Sequence, residues 1–268
     1  MRSWRGWRRA GAALVLLAWA SPAAGQPARG GPSDNTPQVR YLTRSAFHLT
    51  AERLAEDDRR FLWDAHVGGE LDFVDYGVGR FTFLADYQVL LGDEIRAFDP
   101  NQGSYVLRAR SSLRFGATEV AAVFHHQSRH LSDREKQAPV DWNSVGAQVR
   151  QAAGNARTSL EGRVDVRRVV QKSFVDYSWE LDAAVRADRR LRPGVGVLAA
   201  AGLAFTGVDG SHDRSGQTGY RVEGGVRLEG RAAAVELFIA GERRIDPWPL
   251  EAGTASWVAA GFRLLSAP

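Results

Sequence analysis

The chain has 268 residues, no cysteine, 25% charged residues and a formal net charge of +4. Without cysteine there is no thiol catalysis, disulfide, zinc–thiolate site or lipid-anchored cysteine. Four arginines in residues 1–25 account for the positive charge, so the remainder is close to neutral and gives no support to nucleic-acid binding.

Residues 1–25 read as a secretory signal. Arg2, Arg5, Arg8 and Arg9 precede a short apolar run, and small residues around Ala23-Ala24-Gly25 suit cleavage. An apolar run of about eleven residues is too short for a spanning helix, which needs about twenty. Residues 26–43 are rich in Gly, Pro, Ser and Asn and read as a flexible periplasmic leader.

From residue 44 to 268 the dominant signal is alternation. One face of 157–167 reads Arg157, Ser159, Glu161, Arg163, Asp165, Arg167, and the other reads Thr158, Leu160, Gly162, Val164, Val166. Period-two patterning of this length predicts strand rather than helix. Similar runs occur at 44–54, 61–74, 79–92, 104–116, 118–128, 142–154, 175–188, 193–207, 217–230, 231–242 and 254–265, giving twelve in all. Tight turns such as Asp75-Tyr76-Gly77 and Leu228-Glu229-Gly230 alternate with longer polar links at 54–60, 93–103, 129–141, 171–174, 208–216 and 243–253.

Strands of soluble proteins average five or six residues, whereas a tilted strand needs about 9–11 to cross a bilayer. Charged faces that carry Arg and Asp/Glu together suit an enclosed lumen, where each ion is offset by a partner. Trp63, Phe73, Phe81, Tyr87, Tyr105, Phe124, Tyr177, Trp179 and Phe262 fall on apolar faces, as membrane-interface girdles require. The sequence therefore predicts an all-β fold, a single 12-stranded antiparallel transmembrane barrel in the bacterial outer membrane.

Polar groups of catalytic type lie on two of the apolar faces. The strand Val120, Ala122, Phe124 continues into His126 and Ser128, and the next opens with Asn143 before Val145, Ala147 and Val149. With a periplasmic N-terminus all three belong at the external rim, facing lipid. His125 and His126 point to opposite faces, so with His130 they cannot share a metal unless the strand is bulged. Asp93-Glu94 and Asp99-Pro100-Asn101 lie in a predicted long loop, where either Ca²⁺ binding or turn chemistry accounts for them. His48, His66 and His212 have no evident partners. No Gly-x-Ser-x-Gly elbow is present, which leaves a soluble hydrolase fold unsupported.

His126-Gln127-Ser128 followed, after an external loop, by Trp142-Asn143 resembles the motif of outer membrane phospholipase A, a twelve-stranded barrel with an outward His-Ser-Asn triad. Arg129-His130 stands where that family has Asn-Gly. The resemblance implies that Ser128 is the nucleophile, that His126 is the general base and that Asn143 orients His126. It further implies a Ca²⁺ cofactor with unassigned ligands, a homodimer, and membrane phospholipid as substrate. The oxyanion stabiliser is unassigned, with Arg129 or loop N–H groups as the candidates. The alternative is a non-enzymatic barrel, either a narrow channel or a structural and surface-interaction protein. In that case the polar cluster from His125 to Lys136 would contact lipopolysaccharide phosphates.

Overall fold

A computed structural model describes residues 39–132 and 138–266, among which there is no helix. Twelve antiparallel strands close on themselves, each pairing with its neighbours in sequence and β1 with β12. They are β1 (Arg40–Ala55), β2 (Trp63–Asp75), β3 (Gly79–Gly92), β4 (Asp99–Phe115), β5 (Thr118–Leu131), β6 (Val140–Gly154), β7 (Thr158–Ser173), β8 (Tyr177–Arg192), β9 (Val195–Val208), β10 (Gln217–Glu229), β11 (Ala233–Ile245) and β12 (Thr254–Ser266). The predicted signal, residues 1–25, lies outside the described residues, as do most of the leader and Asp133 to Lys136 of the loop cluster.

The strand cores fall where alternation placed them, but several strands run further. At the short-turn end β1 starts at Arg40 rather than 44, with an irregularity between Tyr41 and Arg44, so the end of the predicted leader is paired strand. At the external end β5 continues past Ser128 to Leu131, β4 begins at Asp99, and β7 includes Gln171 to Ser173. Above the hydrocarbon both faces of a strand are polar, so alternation fades while the ladder hydrogen bonds continue. Asp99 and Asn101 are consequently buried strand residues rather than loop ligands, and Asn101 donates to the Arg60 carbonyl at 2.7 Å.

The two faces of the wall differ sharply. Val120, Phe124, Val145, Val149, Leu237, Ile239 and Val258 lie outward and exposed, whereas Glu52, Asp64, Asp165, Arg167 and Glu236 lie inward and buried. Tyr177 departs from the predicted girdle. Ser178 is an extra residue between the pairs Tyr177↔Val208 and Trp179↔Gly207, and this bulge turns Tyr177 inward while Trp179 stays outward. The Tyr177 hydroxyl donates to Asp246 at 2.7 Å.

Inside the barrel, arginine–carboxylate pairs join strands that are not neighbours. Arg221 on β10 reaches Glu52 on β1 at 2.7 Å, and Arg244 on β11 reaches Asp64 on β2 at 2.7 Å. Glu236, wholly buried on β11, receives Arg186, Arg227 and Arg263 at 2.6, 2.7 and 2.7 Å. His48 and His66, unpartnered in the sequence reading, both meet Asp86, at 2.6 and 3.0 Å. Near the external end, Phe61 and Trp248 from two loops pack on Leu54, Leu90 and Trp257. Arg60 links those loops by reaching Glu251 at 2.7 Å.

Two outcomes follow. Ile239→Arg, which puts a charge on the lipid side near the middle of β11, should cost about 2–4 kcal/mol in denaturant unfolding from liposomes. Glu236→Ala leaves the half-buried Arg186, Arg227 and Arg263 without their shared partner, although each keeps a second carboxylate, and should cost about 1–3 kcal/mol in the same measurement.

Candidate functional site

β5 and β6 position the candidate residues through their register. His126 pairs directly with Asn143, and Ser128 with Asp141. On β5 the outward positions run from exposed Val120 and Phe124 to half-buried His126 and Ser128. On β6 they run from Val149 and Val145 to half-buried Asn143. The polar groups therefore begin where the apolar band ends, toward the external rim.

The imidazole and the amide are joined. His126 Nδ1 lies 2.8 Å from Asn143 Oδ1, and the Asn143 amide donates in turn to the Gln171 side-chain carbonyl. Gln171 then donates to Asp141 at 3.5 Å. Since Oδ1 is an acceptor only, Nδ1 carries a proton, so in the neutral ring the Nε2 lone pair is free to act as a base. Tyr105 lies across from Ser128 on the other side, its ring 4.7 Å from Tyr87 and 5.8 Å from His130.

Ser128 is on the same outward face as His126, but no hydrogen bond joins their side chains among the described residues. Arg129 cannot serve as the oxyanion stabiliser. It points inward, is buried, and donates to the Asp246 carbonyl at 2.6 Å, on the far side of the wall from Ser128. Alternation along an unbulged strand imposes this. His125 is likewise buried inside, where its Nδ1 accepts from Arg108 at 3.3 Å, so His125 and His126 do not converge on a metal. Among the described residues no group of three or more His, Asp or Glu could hold an ion. The described side chains thus assign no ligand set to the expected Ca²⁺, and no step is drawn through it.

Sequence reasoning missed Gln171 and Asp141 in this cluster. Gln171 lay in a predicted link, and it faces outward beside Asn143 because Val170 is an extra residue opposite the Asn143–Ser144 step. Asp141 was legible only through the register of β5 and β6.

A closed wall with apolar residues outside and ion pairs inside defines a membrane-spanning barrel of the bacterial outer-membrane type. Solved structures of that type share the fold. An outer membrane phospholipase from Salmonella typhi, solved as a dimer with bound calcium, matches with a TM-score of 0.52 and 10% identity, over 88% of this chain and 94% of that one. Outer membrane phospholipase A from Escherichia coli matches at 0.51 and 10%, over 85% and 98%. An outer membrane channel from Pseudomonas putida F1 matches at 0.51 and 10%, over 88% and 99%. No protein-family model matches the sequence, and no curated protein matches it. The fold is shared by an enzyme and a channel, so the site itself must decide between those activities.

The His126–Asn143 bond is open to direct measurement. Imidazole ¹⁵N shifts should report the Nδ1–H tautomer for His126, and Asn143→Ala should give a mixture of tautomers with the barrel intact. An unchanged tautomer in that variant would mean that Asn143 does not orient the ring.

Proposed function

We propose that the protein is a serine acyl hydrolase acting on phospholipids of the outer membrane, with Ser128 as nucleophile, His126 as general base and Asn143 as the residue that orients the base. The observation that carries this reading is the 2.8 Å contact between His126 Nδ1 and Asn143 Oδ1 on the lipid-facing wall. In the neutral ring that contact leaves the lone pair on Nε2, on the face that Ser128 shares. Residues two apart on a strand have Cα atoms about 6.5–7 Å apart, so a χ1 rotation of Ser128 brings its hydroxyl toward the imidazole.

Ser128 Oγ would attack the ester carbonyl carbon of a lipid lying against the wall, passing its proton to His126 Nε2. Collapse of the tetrahedral intermediate breaks the ester C–O bond, and the leaving alcohol takes that proton. Water, deprotonated by His126, then splits the acyl–serine ester to release fatty acid and restore Ser128. The calcium and the dimer of the Salmonella phospholipase structure extend to this chain as part of the same proposal, together with phospholipid and lipopolysaccharide as neighbouring lipids. The signal at 1–25 and the leader, ahead of a barrel that begins at Arg40, form the proposed domain plan.

A second reading, a barrel without acyl-transfer chemistry, draws on a different observation. Ser128 is not bonded to His126, and the Asp141 carboxylate is paired opposite it, where negative charge would develop.

Fatty-acid release from phospholipid micelles, measured with and without Ca²⁺, separates the two. On the enzyme reading, Ser128→Ala and His126→Ala each lower the rate by about 10³-fold or more. Equal rates for wild type and Ser128→Ala would remove the enzyme reading in favour of the second.

A further inference from the structure

We propose that the lumen is a narrow passage selective for small anions. The arrangement is independent of Ser128 and lies on the other side of the wall. Three cavities follow one another along the side formed by β7 to β10. The first, of about 370 Å³, lies at the level of Arg129 and Tyr177 and reaches Arg163 and Arg221. The second, of about 390 Å³, shares Arg163 and Arg221 and extends to Arg186 and Arg263. The third, of about 510 Å³, shares Arg186 and Glu161 with the second and reaches the Asn155–Thr158 turn at the opposite end. Shared lining residues place these spaces one after another from the external third of the barrel to its short-turn end. The apolar cluster around Phe61 and Trp248 fills the part of the mouth near β1 and β12.

The passage is cationic although its formal charges come largely in pairs. Arginines outnumber carboxylates in the lining of each cavity. Within pairs the carboxylate is generally set back against the wall, with the guanidinium toward the space. Side-chain exposure is 30% for Arg186 against 0% for Glu236, and 27% for Arg221 against 4% for Glu52. Arg163, which borders the first two cavities, has no carboxylate within 4 Å among the described residues. Glu161, Asp182 and Glu229 do face the space, but each is paired with an arginine, Arg150 at 2.6 Å, Arg167 at 2.5 Å and Arg227 at 2.9 Å.

In a passage walled by protein and lipid, guanidinium groups facing the water repel cations and lower the cost of anion entry. Arginine-lined constrictions select anions in pores on this basis. Water occupies about 30 Å³ per molecule in the liquid, so each cavity holds on the order of ten waters. That volume suits chloride, phosphate or a short carboxylate.

The full chain, inserted into a planar bilayer under a tenfold KCl gradient, should show small conductance steps with a reversal potential on the anion-selective side. Arg163→Glu should lower the chloride-to-potassium permeability ratio several-fold, with Arg163→Gln intermediate. Ser128→Ala should conduct as wild type does, which keeps the result separate from that of the lipase assay. Heat-modifiable gel migration verifies that each variant is a folded barrel. A folded wild-type barrel with no conductance, cation selectivity, or a permeability ratio indifferent to both Arg163 variants would overturn the proposal.

Discussion

The closure between β1 and β12 is the constraint on which the rest of the structure depends. Hydrocarbon offers no hydrogen-bond partner to a backbone N–H or C=O, so an open edge strand within it is untenable. Pairing of His48 through Ala55 with Leu265 through Val258 removes that edge. Once the ladder is closed, every residue in a regular stretch is committed to lipid or lumen. That division gives His126 and Asn143 an outer surface to work on and sends Arg129 and His125 to the interior.

The interior then has its own requirement. Charged side chains enclosed by a wall need partners, because an unpaired ion there costs several kcal/mol. The pairs found here reach across the lumen as well as along the strands, as Arg221–Glu52 and Arg263–Glu223 show. They brace opposite walls, and they set the polarity of the remaining water space. Both roles come from the same alternation that makes the outside apolar.

Much of this was legible in the sequence because period-two patterning is a direct image of a two-sided wall. Strand number, the outward placement of His126, Ser128 and Asn143, and the paired charges of the lumen all follow from it. Partners set by register or by bulges were not legible. His48 and His66 meet on Asp86 only because β1, β2 and β3 align as they do. Tyr177 and Gln171 each depend on one extra residue that inverts or restores the alternation locally. External strand ends were also hidden, since Asp99 to Asn101 and Gln171 to Ser173 are polar on both faces yet still laddered.

The loop aromatics near the mouth have a mechanical meaning. Leu54 comes from β1, Trp257 and Ala259 from β12, and Phe61 and Trp248 clasp them from within. The first and last strands are thus held by a latch as well as by their own ladder. Peeling the cylinder apart along that line would first require both loops to lift clear, with Arg60 letting go of Glu251. Resistance to being pulled open should therefore reside in the loops as much as in the strands they connect.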